Sequence, residues 1–189
     1  GGVDQVRSLH RHGGIVETIL EREADARVVV IGKRGAGHEF ASDHIGSKIE
    51  RVVRASDRPI LIASRAVSEP GAIVFAFDAS KSANRALERL VNSPLFTGLP
   101  VHIVMADSEN AVHRQALDDA AGQLRDSHEV RTTLRQGKPE TVIADIVDQT
   151  PGAMLMMGAY GHSPLRTLIV GSTTTAMIRT VHVPVLLVR

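Results

Sequence analysis

The sequence predicts an α/β fold: a doubly wound, five-stranded parallel sheet, followed through once completely and once only in its second half. Three observations predict it. Short apolar runs alternate with helical stripes, the two halves of the chain match at a nearly constant offset, and the run Ala153 to Met157 empties into a glycine-marked loop that returns to a helix. Right-handed crossovers between parallel strands place helices on both faces of such a sheet.

The elements follow in order. Val6-Arg7-Ser8, Arg11 and Gly13 match Val130-Arg131-Thr132, Arg135 and Gly137, and Ile19 falls on Ile143. Val28 to Ile31 falls on Met154 to Met157, with Gly32 and Gly35 on Gly158 and Gly161. Further on, Gly46-Ser47 falls on Gly171-Ser172, Arg54 on Arg179, Pro59 on Pro184 and Leu61 on Leu186. Residues 1–64 therefore read as the second half of one unit, 65–71 as a linker ending in Glu69-Pro70-Gly71, and 72–189 as a complete unit. By this repeat logic roughly 53 residues of the first unit are absent.

In the complete unit, Ala72 to Phe77 is an uninterrupted apolar run, as expected of a central parallel strand. Ala83, Ala86, Leu87, Leu90 and Val91 form a helical stripe with Ser80 or Ser82 as its cap. Val101 to Ala106 is a second strand, and Val112, Ala116, Leu117, Ala120, Ala121 and Leu124 mark a second helix. Val130, Thr132 and Leu134 alternate as in an edge strand. Val142, Ile143, Ile146 and Val147 supply a third helix, Ala153 to Met157 a fourth strand, Ala176, Met177 and Thr180 a last helix, and Val183 to Val188 a fifth strand. Met154, Met156 and Met157 read as core.

Composition narrows the function. Lys+Arg 22 against Asp+Glu 21 gives a net charge of +1, which leaves no basic excess for a nucleic-acid backbone, and 3% aromatic residues give few stacking platforms. No stretch is long enough to span a membrane, and no basic segment followed by an apolar one opens the sequence. Zero cysteines remove disulfides, thiolates and cysteine-metal sites, and a cytoplasmic location is the expectation.

The chemistry concentrates at Gly158-Ala159-Tyr160-Gly161, nine further residues, and Gly171-Ser172-Thr173-Thr174. Glycine lets backbone approach a bulky anion, and the first N–H groups of a helix have no intrahelical acceptor, so phosphate can fill that role. Ser172 and Thr173 would add hydroxyl donors. The plainer alternative has Gly158 and Gly161 merely end a strand while Ser172 is an ordinary N-cap.

These residues carry a resemblance. Gly158-x-x-Gly161-x9-Gly171-Ser172 is similar to the ATP-binding signature of the universal stress protein family, and Phe77-Asp78-Ala79-Ser80 resembles that family's first-strand exit. Tyr160-Gly161-His162 and Val183-Pro184-Val185-Leu186-Leu187-Val188 resemble common bacterial members, and the whole resembles a tandem member. The resemblance implies a Rossmann-like unit with ATP, AMP or ADP at the strand-order switch point. Asp78 and the Met105-Ala106 strand end would border adenine and ribose, Gly158 and Gly161 the ribose and first phosphate, and Gly171, Ser172 and Thr173 the outer phosphates. Ala79, Met157 and His162 complete the expected nucleotide-binding set. It further implies that the fifth strands of the two units pair as a pseudo-dimer, and it admits a homodimer of whole chains.

Each residue has a plainer reading. Asp78 after an apolar strand is either a ligand contact or a capping carboxylate acting with Ser80. The spacer carrying His162 and Arg166 has no acidic residue, whereas the matching spacer in the first unit is one residue longer and carries Glu39 and Asp43, whose charges oppose phosphate. His10 and His12 read as exposed side chains, and no protein metal site is expected. Mg²⁺ would arrive on the nucleotide. No Gly-x-x-x-x-Gly-Lys-Ser/Thr and no Gly-x-Ser-x-Gly is present, and no catalytic base can be nominated, so at most slow ATP hydrolysis is implied. Two readings stand: a nucleotide-binding regulatory module, and a non-catalytic interaction protein whose glycine loops hold nothing.

Overall fold

The computed structural model describes residues 5–33, 47–64, 69–159 and 172–189. Among the described residues the helices are α1 (Ile15–Arg22), α2 (Ser47–Ala55), α3 (Lys81–Asn92), α4 (Ala111–Gly122), α5 (Pro139–Asp148) and α6 (Ser172–Thr180). The strands are β1 (Val29–Gly32), β2 (Ile60–Ala63), β3 (Ala72–Ala76), β4 (Val101–Met105), β5 (Val130–Leu134), β6 (Ala153–Gly158) and β7 (Val185–Val188). They form one sheet in the order β1-β2-β7-β6-β3-β4-β5. Every neighbouring pair is parallel except β2 and β7, which are antiparallel with Leu61 opposite Leu186.

The doubly wound arrangement follows from where the apolar stripes point. Ala83, Leu87 and Leu90 of α3 and Leu117 and Ala120 of α4 pack on Phe75, Ile103 and Met156 on one face. Val52 and Val53 of α2, Ile143 of α5 and Met177 and Ile178 of α6 pack on Ile60, Val74 and Leu155 on the other, with Val16 of α1. Strands covered on both sides need no polar alternation, so Ile73, Val74 and Phe75 are all fully buried. Strand β3 begins a unit whose next two strands, β4 and β5, lie on one side and whose last two, β6 and β7, lie on the other. The order therefore reverses between β3 and β6, which is where ligands of open α/β sheets sit. No helix among the described residues is long and apolar enough to cross a membrane.

The matching halves behave alike in one respect and differently in two. Gly13 and Gly137, paired by the repeat, both take positive φ, 129° and 156°, a conformation that favours glycine. Residues 5–12 match β5 in sequence but form no strand, and Val6 and Leu9 are exposed. The reason is the neighbour: β5 pairs along its length with β4, and no described strand lies beside 5–12 to satisfy its backbone groups. Val28 and Val30 are 40% and 59% exposed, whereas their counterparts Met154 and Met156 are 3% and 0% exposed. Helix α3 covers β6 and β7 on that face, and no described helix covers β1 and β2 there.

Candidate functional site

Three strand exits meet at the reversal of strand order. Ala76 of β3 is opposite Val104 of β4 on one side and Met157 of β6 on the other, so the residues after these positions lie on adjacent strands about 4.8 Å apart.

The exit of β3 is a compact turn. Phe77 is buried, and its N–H still reaches Val104 O at 2.9 Å. Asp78 and Ala79 are exposed, and Ala79 adopts φ 56°, the only positive φ of a non-glycine residue among those described. Asp78 Oδ1 accepts the Ser80 N–H at 3.0 Å. Ser80 is the N-cap of α3, its hydroxyl accepting the Ala83 N–H at 3.2 Å. Asn84 donates its side-chain amide to Ala79 O and Ser80 O, both at 3.0 Å. Of the two roles open to Asp78, the structure displays the local one, and it fixes the carboxylate where the strand ends.

At the exit of β6, Met157 is 6% exposed and its side chain belongs to the core with Val74 and Val104, leaving its backbone at the strand end. Gly158 has a contact that spacing did not suggest. A Cβ built on it would stand 2.6 Å from Ala83 N and 2.7 Å from both Ser82 C and Ser82 Oγ. The glycine is what allows the end of β6 to abut the first turn of α3. Ala159 is buried, its N–H bonded to Val188 O at 2.7 Å.

At the exit of β4, Ala106 is half-buried against the core, a small side chain beside the β3 turn. The following loop was not singled out by the sequence, although Asn110 just before a helical stripe is a legible cap signal. Asn110 accepts the His113 N–H at 2.9 Å, and Asp107 Oδ1 accepts the Ser108 N–H at 2.6 Å. The Ser108 backbone bond, together with the nearby His113 imidazole at 3.8 Å, holds the Asp107 carboxyl below the usual carboxylate range. Asp107 therefore stays ionised at the edge of the site.

Helix α6 starts at Ser172, Thr173 is half-buried and Thr174 is buried. Gly161, His162, Arg166 and Gly171 lie outside the described residues, as do Glu39 and Asp43 of the matching spacer. The structure thus brings together Asp78, Ala79, Ala106, Met157 and Gly158. Among the described residues no group of three His, Cys, Asp or Glu could hold a metal ion, and the His10 and His12 rings touch edge to face at 5.2 Å.

Comparison with known proteins supplies the family. The family model described as "Universal stress protein family" matches residues 71–189. The universal stress protein Slr1230 of Synechocystis sp. is 29% identical over 191 residues, covering all of this chain and 67% of that protein. A universal stress protein from Archaeoglobus fulgidus DSM 4304 superposes with a TM-score of 0.72 at 25% identity, covering 92% of this chain and 64% of its own. The chain thus spans about two thirds of the length of these relatives. A universal stress protein crystallised in complex with cAMP shares the fold at a TM-score of 0.52 and 17% identity, over 65% of this chain and 99% of its own. On the family match across the whole second half of the chain, this protein belongs to the universal stress protein family.

Proposed function

We propose that residues 72–189 bind one adenine nucleotide, ATP, AMP or ADP, at the exits of β3, β4 and β6, and act as a regulatory module in stress response. The observation that carries the reading is the convergence of these three exits at the reversal of strand order. The residues present fit such a ligand. The first N–H groups of α6 have no intrahelical acceptors and suit phosphate, and Ala106 at the exit of β4 presents only a small side chain next to the Asp78 turn. The relative in complex with cAMP supports an adenine nucleotide as the ligand class. Mg²⁺, where present, would be carried by the phosphates, with few protein ligands of its own. The reading assigns no catalytic base, and it suits the reducing cytoplasm that a chain without cysteine tolerates.

Mass spectrometry of the denatured, purified protein should release an adenine nucleotide, and calorimetric titration with ATP should give a stoichiometry near one. Absence of heat and of thermal stabilisation at millimolar ATP would overturn the reading.

A second reading concerns assembly, and it stands beside the first. We read residues 1–64 as the second half of another copy of the unit, 65–71 as the linker, and the β2–β7 seam as the contact between copies. Three facts support it: Leu61 is opposite its own counterpart Leu186, Gly13 and Gly137 share a positive φ, and Val30 is exposed where Met156 is buried. On this reading Leu186→Lys places an ammonium in the seam and separates the halves. A variant as stable and as compact by X-ray scattering as the parent would refute it; a homodimer of whole chains is tested by the same scattering mass.

A further inference from the structure

The last turn of helix α6, whose first turn the nucleotide reading assigns to the outer phosphates, is held from the other half of the chain. Lys33 directly follows β1. Its ammonium donates to Val181 O at 2.7 Å and to Arg179 O at 3.4 Å, the carbonyls at the C-terminal end of α6. A helix ends in carbonyls without intrahelical donors and carries partial negative charge there, so a cation both satisfies and electrostatically complements that end. Glu50 of α2 adds a lateral contact: its Oε1 accepts the Thr175 hydroxyl at 3.4 Å and lies 3.9 Å from the Arg179 guanidinium.

The arrangement is reciprocal. Arg189, after β7, donates its guanidinium to the Arg54 carbonyl in the last turn of α2. Each of the two helices that follow a glycine-marked loop therefore has a cation from the other half of the chain on its C-terminal turn. Lys33 and Arg189 are not at matching positions of the repeat, so the recurrence lies in the contact and not in the residue.

We propose that Lys33 is a positioning residue for the phosphate end of the nucleotide site, setting the axial position of α6 from its far end. The inference rests on the nucleotide reading. The nine residues of α6 span about 13 Å, too far for direct contact with a ligand but short enough for a rigid helix to transmit placement. Phosphate donors need positioning to within roughly 0.5 Å to be effective, and a helix loosened at its C-terminal turn loses that registration.

The test compares ATP with AMP, because only the outer phosphates depend on the start of α6. Lys33→Met should weaken ATP binding about two- to fivefold, the fold-change equivalent of a helix-terminal charge, while AMP affinity measured by competition stays unchanged. Lys33→Arg should restore most of the loss. If Lys33→Met does not purify folded, Lys33→Gln keeps the stem and a donor, drops the charge and carries the same expectation. Unchanged ATP affinity, or parallel losses for ATP and AMP, overturns the inference while leaving nucleotide binding standing. A parent protein that binds no ATP overturns both.

Discussion

Replacing Gly158 with alanine tests how the candidate site is held open. The added methyl would stand 2.6 Å from Ala83 N and 2.7 Å from Ser82 C, distances that Cβ atoms do not tolerate, and both obstacles are backbone of the first turn of α3. Neither can swing aside as a side-chain tip would. Either β6 withdraws from α3, breaking contacts of Met156 with Leu87 and Leu90 in the core, or the first turn of α3 shifts and takes the Asp78–Ser80 turn with it. Overpacking costs about 1 to 3 kcal/mol, and rigid backbone obstacles argue for the upper end. At about 2 to 4 °C per kcal/mol for a chain of this size, the midpoint should fall by roughly 6 to 12 °C. Urea and thermal unfolding followed by circular dichroism read the loss directly. A Gly158→Ala protein within about 0.5 kcal/mol of the parent would refute the close approach, since rotating the Ser82 hydroxyl away still leaves two backbone atoms in the path of the methyl.

Other positions give contrasting expectations. Gly122 closes α4, and a methyl added there would meet nothing within 4 Å, so Gly122→Ala should stabilise by about 0.5 to 1 kcal/mol in the same unfolding assay. Ser80→Ala removes the hydroxyl that accepts the Ala83 N–H and should cost about 1 kcal/mol in urea unfolding, with Ser80→Gly costing less. His102 lies half-buried with Nε2 2.8 Å from Thr133 Oγ1, and burial, then the Arg131 charge, lower its pKa below the ordinary 6.5. Folding therefore favours the neutral ring: its contribution is present above pH 6.5 and is lost as pH falls through the folded pKa. Unfolding free energy should decline as pH falls below about 6.5, and His102→Gln should flatten that decline.

The elements legible in the sequence are those whose signal is local. Apolar runs without polar interruption locate β3 and β6 to within a residue, because strands buried on both faces carry no alternation. Helical stripes such as Ala83, Leu87 and Leu90 locate α3 for the same reason, and its cap is Ser80 of the two serines available. The stretch 5–12 carries the pattern of a sheet strand and is not one, since alternation like that of β5 makes a strand only where another strand supplies hydrogen bonds. Val183 and Pro184 fall outside β7 even though they continue its apolar run. Pro184 offers no N–H to a ladder, and its carbonyl instead accepts the Leu155 N–H at 2.9 Å.

The site is legible as a place and less so as a set of roles. Spacing draws attention to Gly158 as a residue for anion approach, but its contact is with α3, an element far earlier in the chain, and no local window of sequence contains that distance. Asp78 shows why a local role and a ligand role need not compete. One carboxylate oxygen accepts the Ser80 N–H, which removes the rotational freedom the side chain would otherwise lose on binding. A carboxylate offers about four lone-pair sites, so this single bond leaves acceptor capacity for a ribose hydroxyl. The exposed carboxylate is thus preoriented at the exit of β3, beside Ala79 in its left-handed turn, and the bond that makes Asp78 look like an ordinary cap is also what would let it bind without an entropic penalty of its own.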